Sequence, residues 1–192
     1  SLLMIGTGAL SINLIKAHSS VRPIEQVYVW GRNVSKAQSI SEKLNNKNVK
    51  VEAISKIASV ISKVDIVSCA TLSESPLVFG KDLRKGQHID LVGAYRPNMR
   101  EADNETMKKA FIYLDSYVGG FKESGDILIP LKEGIISKTD IKADLFELCS
   151  KRKQGRTHDD EITVFKSVGH ALEDLTAARY YFKKYENEKG LR

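Results

Sequence analysis

Cysteine is scarce in this chain: Cys69 and Cys149 stand far apart, with no CxxC pair and no histidine at ligand spacing. That excludes a disulfide framework and leaves no zinc or redox motif, so both read as ordinary thiols, Cys69 a buried one. Proline is rare, at 4 of 192 residues, while 42% of residues are hydrophobic and 28% charged, which excludes a low-complexity chain. No apolar run is long enough to span a bilayer, and no basic, apolar and small-residue opening resembles a secretory signal, so a cytoplasmic protein without a membrane partner is expected. Acidic charge is in the minority, with a net charge of +6. The lysines are spread along the whole chain, with only a modest cluster at Lys183, Lys184, Lys189 and Arg192. This excludes a concentrated nucleic-acid patch, and a phosphate-rich small ligand accounts for the surplus as well.

What is present is an alternation of short apolar runs and amphipathic stretches, the rhythm of parallel strands joined by crossover helices. Strands are predicted at Leu2 to Ile5, Val27 to Trp30, Val49 to Glu52, Asp65 to Ala70, His88 to Val92 and Phe111 to Asp115. Helical spacing or composition marks Ala9 to Ala17, Ser35 to Leu44, Ile54 to Ser62 and Glu101 to Lys109. The expected fold class is α/β, a doubly wound parallel sheet with a C-terminal helical extension. Residues 1–150 form the sheet domain in this reading, and 151–192 a loop and long helix. Thr157 followed by Asp159, Asp160 and Glu161 reads as the cap and acidic first turn of that helix. His158 beside those acids could suggest a metal site, but capping explains them better because an apolar stripe follows, Phe165, Val168, Leu172 and Leu175. No metal is expected.

The segment from Leu2 to Ser11 reads as a buried strand, a tight glycine turn and the first turn of a helix. Gly6 makes the turn, Gly8 lets backbone approach a pyrophosphate, and Ser11 stands where a small residue lets helix and strand pack. Unpaired N–H groups at a helix N-terminus, around Thr7, Ala9 and Leu10, then face two phosphates. This is the fingerprint of a Rossmann-type NAD(P)-binding fold. At the end of the second strand stands Gly31-Arg32-Asn33, with no carboxylate for a ribose 2′-hydroxyl. The Arg32 guanidinium can pair with a 2′-phosphate, helped by Asn33, Ser35 and Lys36, so NADP(H) is expected over NAD(H), which remains possible. A solvated loop arginine is the alternative.

The fourth strand ends in Cys69-Ala70-Thr71-Leu72, at the carboxyl edge where open α/β sheets bind ligands, so Ala70, Thr71 and Leu72 are expected beside the ribose or nicotinamide. Val92 and Gly93 leave the fifth strand at the same edge, followed by Tyr95 and Arg96 as substrate-facing candidates; a surface turn also fits Arg96. Asp90 shares a strand face with His88 and reads as a hydrogen-bonded strand residue, not a general base.

Taken together the chain resembles the ornithine cyclodeaminase and mu-crystallin family. The resemblance is carried by Gly6-Thr7-Gly8-Ala9, His88-Ile89-Asp90-Leu91-Val92-Gly93-Ala94, Arg100-Glu101, Asp115-Ser116, Glu123-Ser124-Gly125-Asp126, and Gly155-Arg156-Thr157 leading into the block from Glu161 to Gly169. It implies a nicotinamide enzyme acting on small amino or imino acids, with Ser167 and Val168 matching positions near the nicotinamide and substrate; simple helix packing is the other reading of those two. Gly169, read inside a helix, suggests close packing or a local break.

Two departures from the family shape the expected activity. The cyclodeaminases carry an aspartate where Tyr95 stands, and a phenol with an ordinary pKa near ~10 does not replace a carboxylate base at neutral pH. That argues against cyclodeamination and toward hydride transfer, so the expected function is an NADPH-dependent reductase of a cyclic imino acid. The alternatives are an ornithine cyclodeaminase or alanine dehydrogenase, and a non-catalytic NADPH-binding protein of the crystallin kind. The second departure is that the chain opens at its first sheet strand, whereas the family has an upstream segment forming much of the substrate and dimer domain. The whole protein is therefore expected to be a homodimer, and this chain its cofactor-binding portion.

Overall fold

A computed structural model describes residues 1–190. The chain opens with β1 (Leu2–Ile5), α1 (Ser11–Val21), β2 (Gln26–Trp30), α2 (Val34–Leu44) and β3 (Lys50–Ile54). All four residues of β1 are buried, as a strand covered on both faces requires. The chain then crosses to β4 (Ile66–Cys69) and β5 (His88–Leu91), followed by α3 (Asn104–Lys109), β6 (Phe111–Leu114), α4 (Tyr117–Gly120), α5 (Gly125–Lys132), β7 (Ile141–Asp144), α6 (Leu145–Cys149), β8 (Thr163–Lys166) and α7 (Ala171–Lys189). The eight strands form one sheet in the order β3-β2-β1-β4-β5-β8-β6-β7. Every pairing is parallel.

Strand alternation divides the core into two layers. Leu2, Met4, Val27, Val29 and Val51 face Ile15 of α1 and Ala37 and Ile40 of α2. Leu3, Ile5, Val67, Ile89, Leu91, Ile112, Leu114 and Val164 face the other way, with Met107 of α3 and Ile127 of α5. Each fully buried aliphatic side chain contributes about 1.5–3 kcal/mol, so the two layers hold the sheet rigid beneath its loops. Strand order reverses between β1 and β4, and that switch point opens a crevice at the carboxyl edge.

The expected α/β class and parallel sheet are present, but six sequence readings are corrected. Among the described residues eight strands form, not six, because β7 and β8 join the sheet, and β8 lies between β5 and β6. Thr157 to Glu161 do not cap a helix: the Glu161 carboxylate accepts the Thr157 hydroxyl at 2.6 Å and its N–H at 3.0 Å, closing a loop that leads into β8. The long helix starts only at Ala171, capped by His170, so Phe165 and Val168 are not part of its stripe. Gly169 is not helical either, having φ +92° in the connecting turn. The stretch Ile54 to Ser62 ends β3 and continues as two single 3₁₀ turns, Ile57–Ser59 and Ile61–Lys63. The helix expected from Glu101 begins at Asn104, where Asp103 accepts the Thr106 N–H. Residues 151–166 thus add a central strand to the sheet begun by residues 1–150.

Among the described residues no helix is long and apolar enough to cross a membrane. Among the described residues no group of three or more His, Cys, Asp and Glu side chains is placed to hold a metal. Cys69 is buried and Cys149 exposed. Lys183, Lys184 and Lys189 lie on α7, while Arg192 falls outside the described residues.

Candidate cofactor cleft

At the end of β1 the chain turns sharply at Gly6, whose φ of +123° disfavours any side chain, and a Cβ there would sit 2.5 Å from the Ala70 carbonyl. The Gly6 N–H donates to the Trp30 carbonyl at 2.8 Å, tying the turn to β2. Its carbonyl accepts the buried Ser11 hydroxyl at 2.9 Å, drawing the start of α1 against the strand. Gly8 differs in kind: a Cβ at this position would meet nothing within 4 Å, so the missing side chain leaves open room beside the helix start. Among the described α-helices only α1 lacks a side-chain cap, Leu10 standing at its N-cap. The room beside Gly8 and the uncapped N–H groups fit a diphosphate.

The cleft has a volume of about 320 Å³ and is lined by the glycine turn, by Arg32 and Lys36 beyond β2, and by Thr71 and Ser73 beyond β4. Of the candidate cofactor residues, Gly6, Thr7, Gly8, Gly31, Arg32, Asn33, Lys36, Ala70, Thr71 and Leu72 border it. Ala9 and Leu10, exposed in the turn into α1, do not line it. Asn33 accepts the Lys36 N–H and so serves as the cap of α2. Arg32 is exposed on the rim and forms no hydrogen bond or ion pair among the described residues. Val92 and Gly93 do not border the cleft directly. Gly93 lies behind Thr71, so close that a Cβ would come within 2.1 Å of the Thr71 backbone nitrogen.

Tyr95 and Arg96 follow β5; both are exposed, and the guanidinium lies 5.4 Å from the Tyr95 ring centre. Ser167 and Val168 follow β8, the neighbouring strand, so the two pairs leave the same sheet edge without lining the cleft. Asp115, at the end of β6, is buried and gathers the turn after β8 by accepting from the Ser167 hydroxyl and from the Val168 and Gly169 N–H groups. Asp90 accepts the Ser68 hydroxyl at 2.8 Å and pairs with His18 Nε2 at 3.1 Å, which accounts for it as a strand residue.

Sequence reasoning passed over three buried charged residues beneath this edge, Glu101, Asp126 and Lys166, all with side chains fully excluded from solvent. Glu101 Oε1 accepts the Thr71 N–H at 2.6 Å and the Thr71 hydroxyl at 2.8 Å. Its Oε2 accepts the N–H groups of Gly93 at 2.8 Å and Ala94 at 3.2 Å. Asp126 Oδ1 accepts the N–H groups of Glu101 and Ala102. Lys166 Nζ lies 3.3 Å from Asp126 Oδ2 and 4.0 Å from Glu101 Oε2. Burial pushes the Glu101 carboxyl above its ordinary range, opposed by Lys166 and reinforced by Asp126. The available signal was Lys166 ending an otherwise apolar, β-branched run, Ile162-Thr163-Val164-Phe165.

A larger cavity, about 770 Å³, opens at the opposite edge, bordered by His18, His88, Arg156 and Phe165. Parallel sheets place their ligands outside the carboxyl ends of the strands, so the smaller cleft is the functional candidate.

An all-parallel sheet with a glycine turn feeding its first crossover helix is the Rossmann-type dinucleotide-binding fold. The chain belongs to the ornithine cyclodeaminase/mu-crystallin family, whose model matches residues 1–189. It is 37% identical, over 95% of its length, to a Delta(1)-pyrroline-2-carboxylate reductase of Colwellia psychrerythraea. It is 36% identical, over 93% of its length, to the protein of that name from Paracoccus denitrificans. The structure of Thermococcus litoralis Delta(1)-pyrroline-2-carboxylate reductase in complex with NADH and L-proline superposes on 98% of the chain, with a TM-score of 0.93 and 36% identity. The chain spans 57–58% of the length of these relatives.

Proposed function

We propose that this chain is the cofactor-binding portion of an NADPH-dependent reductase of a cyclic imino acid, of the Δ1-pyrroline-2-carboxylate or Δ1-piperideine-2-carboxylate type. One observation carries the reading: the glycine-turn cleft lies in a chain 36–37% identical to proteins named as such reductases. When bound, the nicotinamide supplies a hydride to the imine carbon while the ring nitrogen holds a proton, giving a cyclic amino acid and oxidised cofactor.

The chain's own contribution is placement. The backbone from Gly6 to Leu10 holds the diphosphate, and Ala70, Thr71 and Leu72, with Val92 and Gly93 behind them, bound the nicotinamide side. Arg32, with Lys36 and Asn33 nearby, takes a 2′-phosphate, which favours NADPH over NADH. Tyr95, Arg96, Ser167 and Val168 face the substrate from neighbouring strands. The whole protein is read as a homodimer; apolar side chains exposed along α7, including Leu175, Tyr181 and Tyr185, support burial of that helix against further protein.

The test is to mix the full-length protein with NADPH and Δ1-pyrroline-2-carboxylate and follow cofactor absorbance. Loss of absorbance with formation of proline is expected. Ammonia release from ornithine without net cofactor oxidation would replace this reading with cyclodeamination, and no turnover of any imine would contradict it.

A further inference from the structure

We propose that Glu101 is a positioning residue of the cofactor cleft, an ionised buried carboxylate that clamps the loop after β4 to the loop after β5, with Lys166 as its counter-ion. The inference rests on the reading of the cleft as a nicotinamide site.

The geometry is that of a four-point clamp. Four donors from two loops converge on two oxygens, Thr71 N–H and hydroxyl on one, Gly93 and Ala94 N–H on the other. A carboxylate can accept at all four positions, whereas a protonated carboxyl or a glutamine must turn a donor toward at least one of the three N–H groups. The clamp therefore works only while Glu101 is charged. Thr71 lines the cleft, and Gly93 and Ala94 lead directly to Tyr95, so one side chain sets the spacing between the cofactor wall and the substrate edge. Gly93 fits no larger residue, since a Cβ there would lie 2.6 Å from Glu101 Oε1.

The groups that face Glu101 govern its charge. Burial weighs most and favours the neutral form; Lys166, at the end of β8, favours the ionised form, and Asp126, in the first turn of α5, opposes it. Cys69, at the end of β4, is held as a neutral thiol by burial and by Glu101 itself. Lys166 Nζ and Asp126 Oδ2 pair with each other at 3.3 Å and make no aligned hydrogen bond among the described residues, so toward the Glu101 carboxylate they act as charges.

The experiment compares amide hydrogen exchange and NADPH titrations across pH for the wild type, Glu101→Gln and Asp126→Asn. In the wild type the Thr71, Gly93 and Ala94 amides are protected at neutral pH, and protection and NADPH affinity are lost together on acidification. Glu101→Gln exchanges these three amides at least about tenfold faster and binds NADPH about tenfold more weakly at neutral pH, the scale of a lost charge-assisted contact. Asp126→Asn keeps both properties at neutral pH and moves the acid loss to lower pH, because a like charge has been removed while its Oδ1 still accepts from Glu101 and Ala102. Equal losses in the two variants, or unchanged amides in Glu101→Gln, would overturn the proposal. If Glu101→Gln does not fold, the wild-type titration and the direction of the Asp126→Asn shift still decide it. Failure of the wild type to bind either nicotinamide cofactor would instead defeat the reading of the cleft, while the exchange data would still report on the clamp.

Discussion

The Asp115 carboxylate accepts the Val168 N–H at 2.7 Å, joining the end of β6 to the turn that leaves β8. The same oxygen accepts the Gly169 N–H, and its partner oxygen accepts that of Ser116. Asp115→Ala leaves three backbone donors without this acceptor in a buried setting, so a stability loss of roughly 3 kcal/mol is expected from urea denaturation. A loss below about 0.5 kcal/mol, the scale of a surface change, would contradict this account of the turn.

His88 is expected to weaken the fold in acid. Burial lowers its pKa to about 4, with further lowering from His18, Arg156 and Arg22 and partial opposition from Asp90. The unfolded chain, near 6.5, binds a proton that the native imidazole refuses, so this contribution is complete above the unfolded value and is lost as pH falls toward about 4. The effect is on the order of 3 kcal/mol from the size of the shift. Denaturation of wild type and His88→Gln at mildly acidic and neutral pH should show a smaller pH dependence in the variant.

Arg32 is expected to choose between cofactors. Arg32→Ala should lower NADPH affinity by roughly 10–100-fold, the worth of a charge-assisted contact to phosphate, and leave NADH affinity nearly unchanged. Equal NADPH affinity in variant and wild type would make Arg32 a solvated loop residue.

Much of the half of the sheet that builds the cleft was legible in the sequence because its signals are local. Leu2 to Ser11 carries strand, turn and helix start in one continuous stretch, and the missing carboxylate after β2 is visible at Gly31-Arg32-Asn33. β8 was hidden because Phe165, Val168, Leu172 and Leu175 imitate helical spacing, although Phe165 lies in a strand, Val168 in a turn and the last two on an exposed helix. Lys166 was not singled out, because the carboxylates that justify its burial, Glu101 and Asp126, come from distant parts of the chain. Periodicity registers which residues are apolar, not which charges will meet across a fold.

The most direct test of the cleft is calorimetric titration of NADPH into the folded chain, the wild type beside Gly8→Ala and Gly6→Ala. Gly6→Ala forces a side chain into a φ of +123° against the Ala70 carbonyl, so it should lower stability, whereas the open space at Gly8 lets an alanine fold with its melting temperature nearly unchanged. The account predicts saturable heat with the wild type and an affinity at least about tenfold weaker with Gly8→Ala, whose methyl group occupies the diphosphate approach. Equal binding by wild type and a fully folded Gly8→Ala, or no heat from the wild type with either NADPH or NADH, would contradict it.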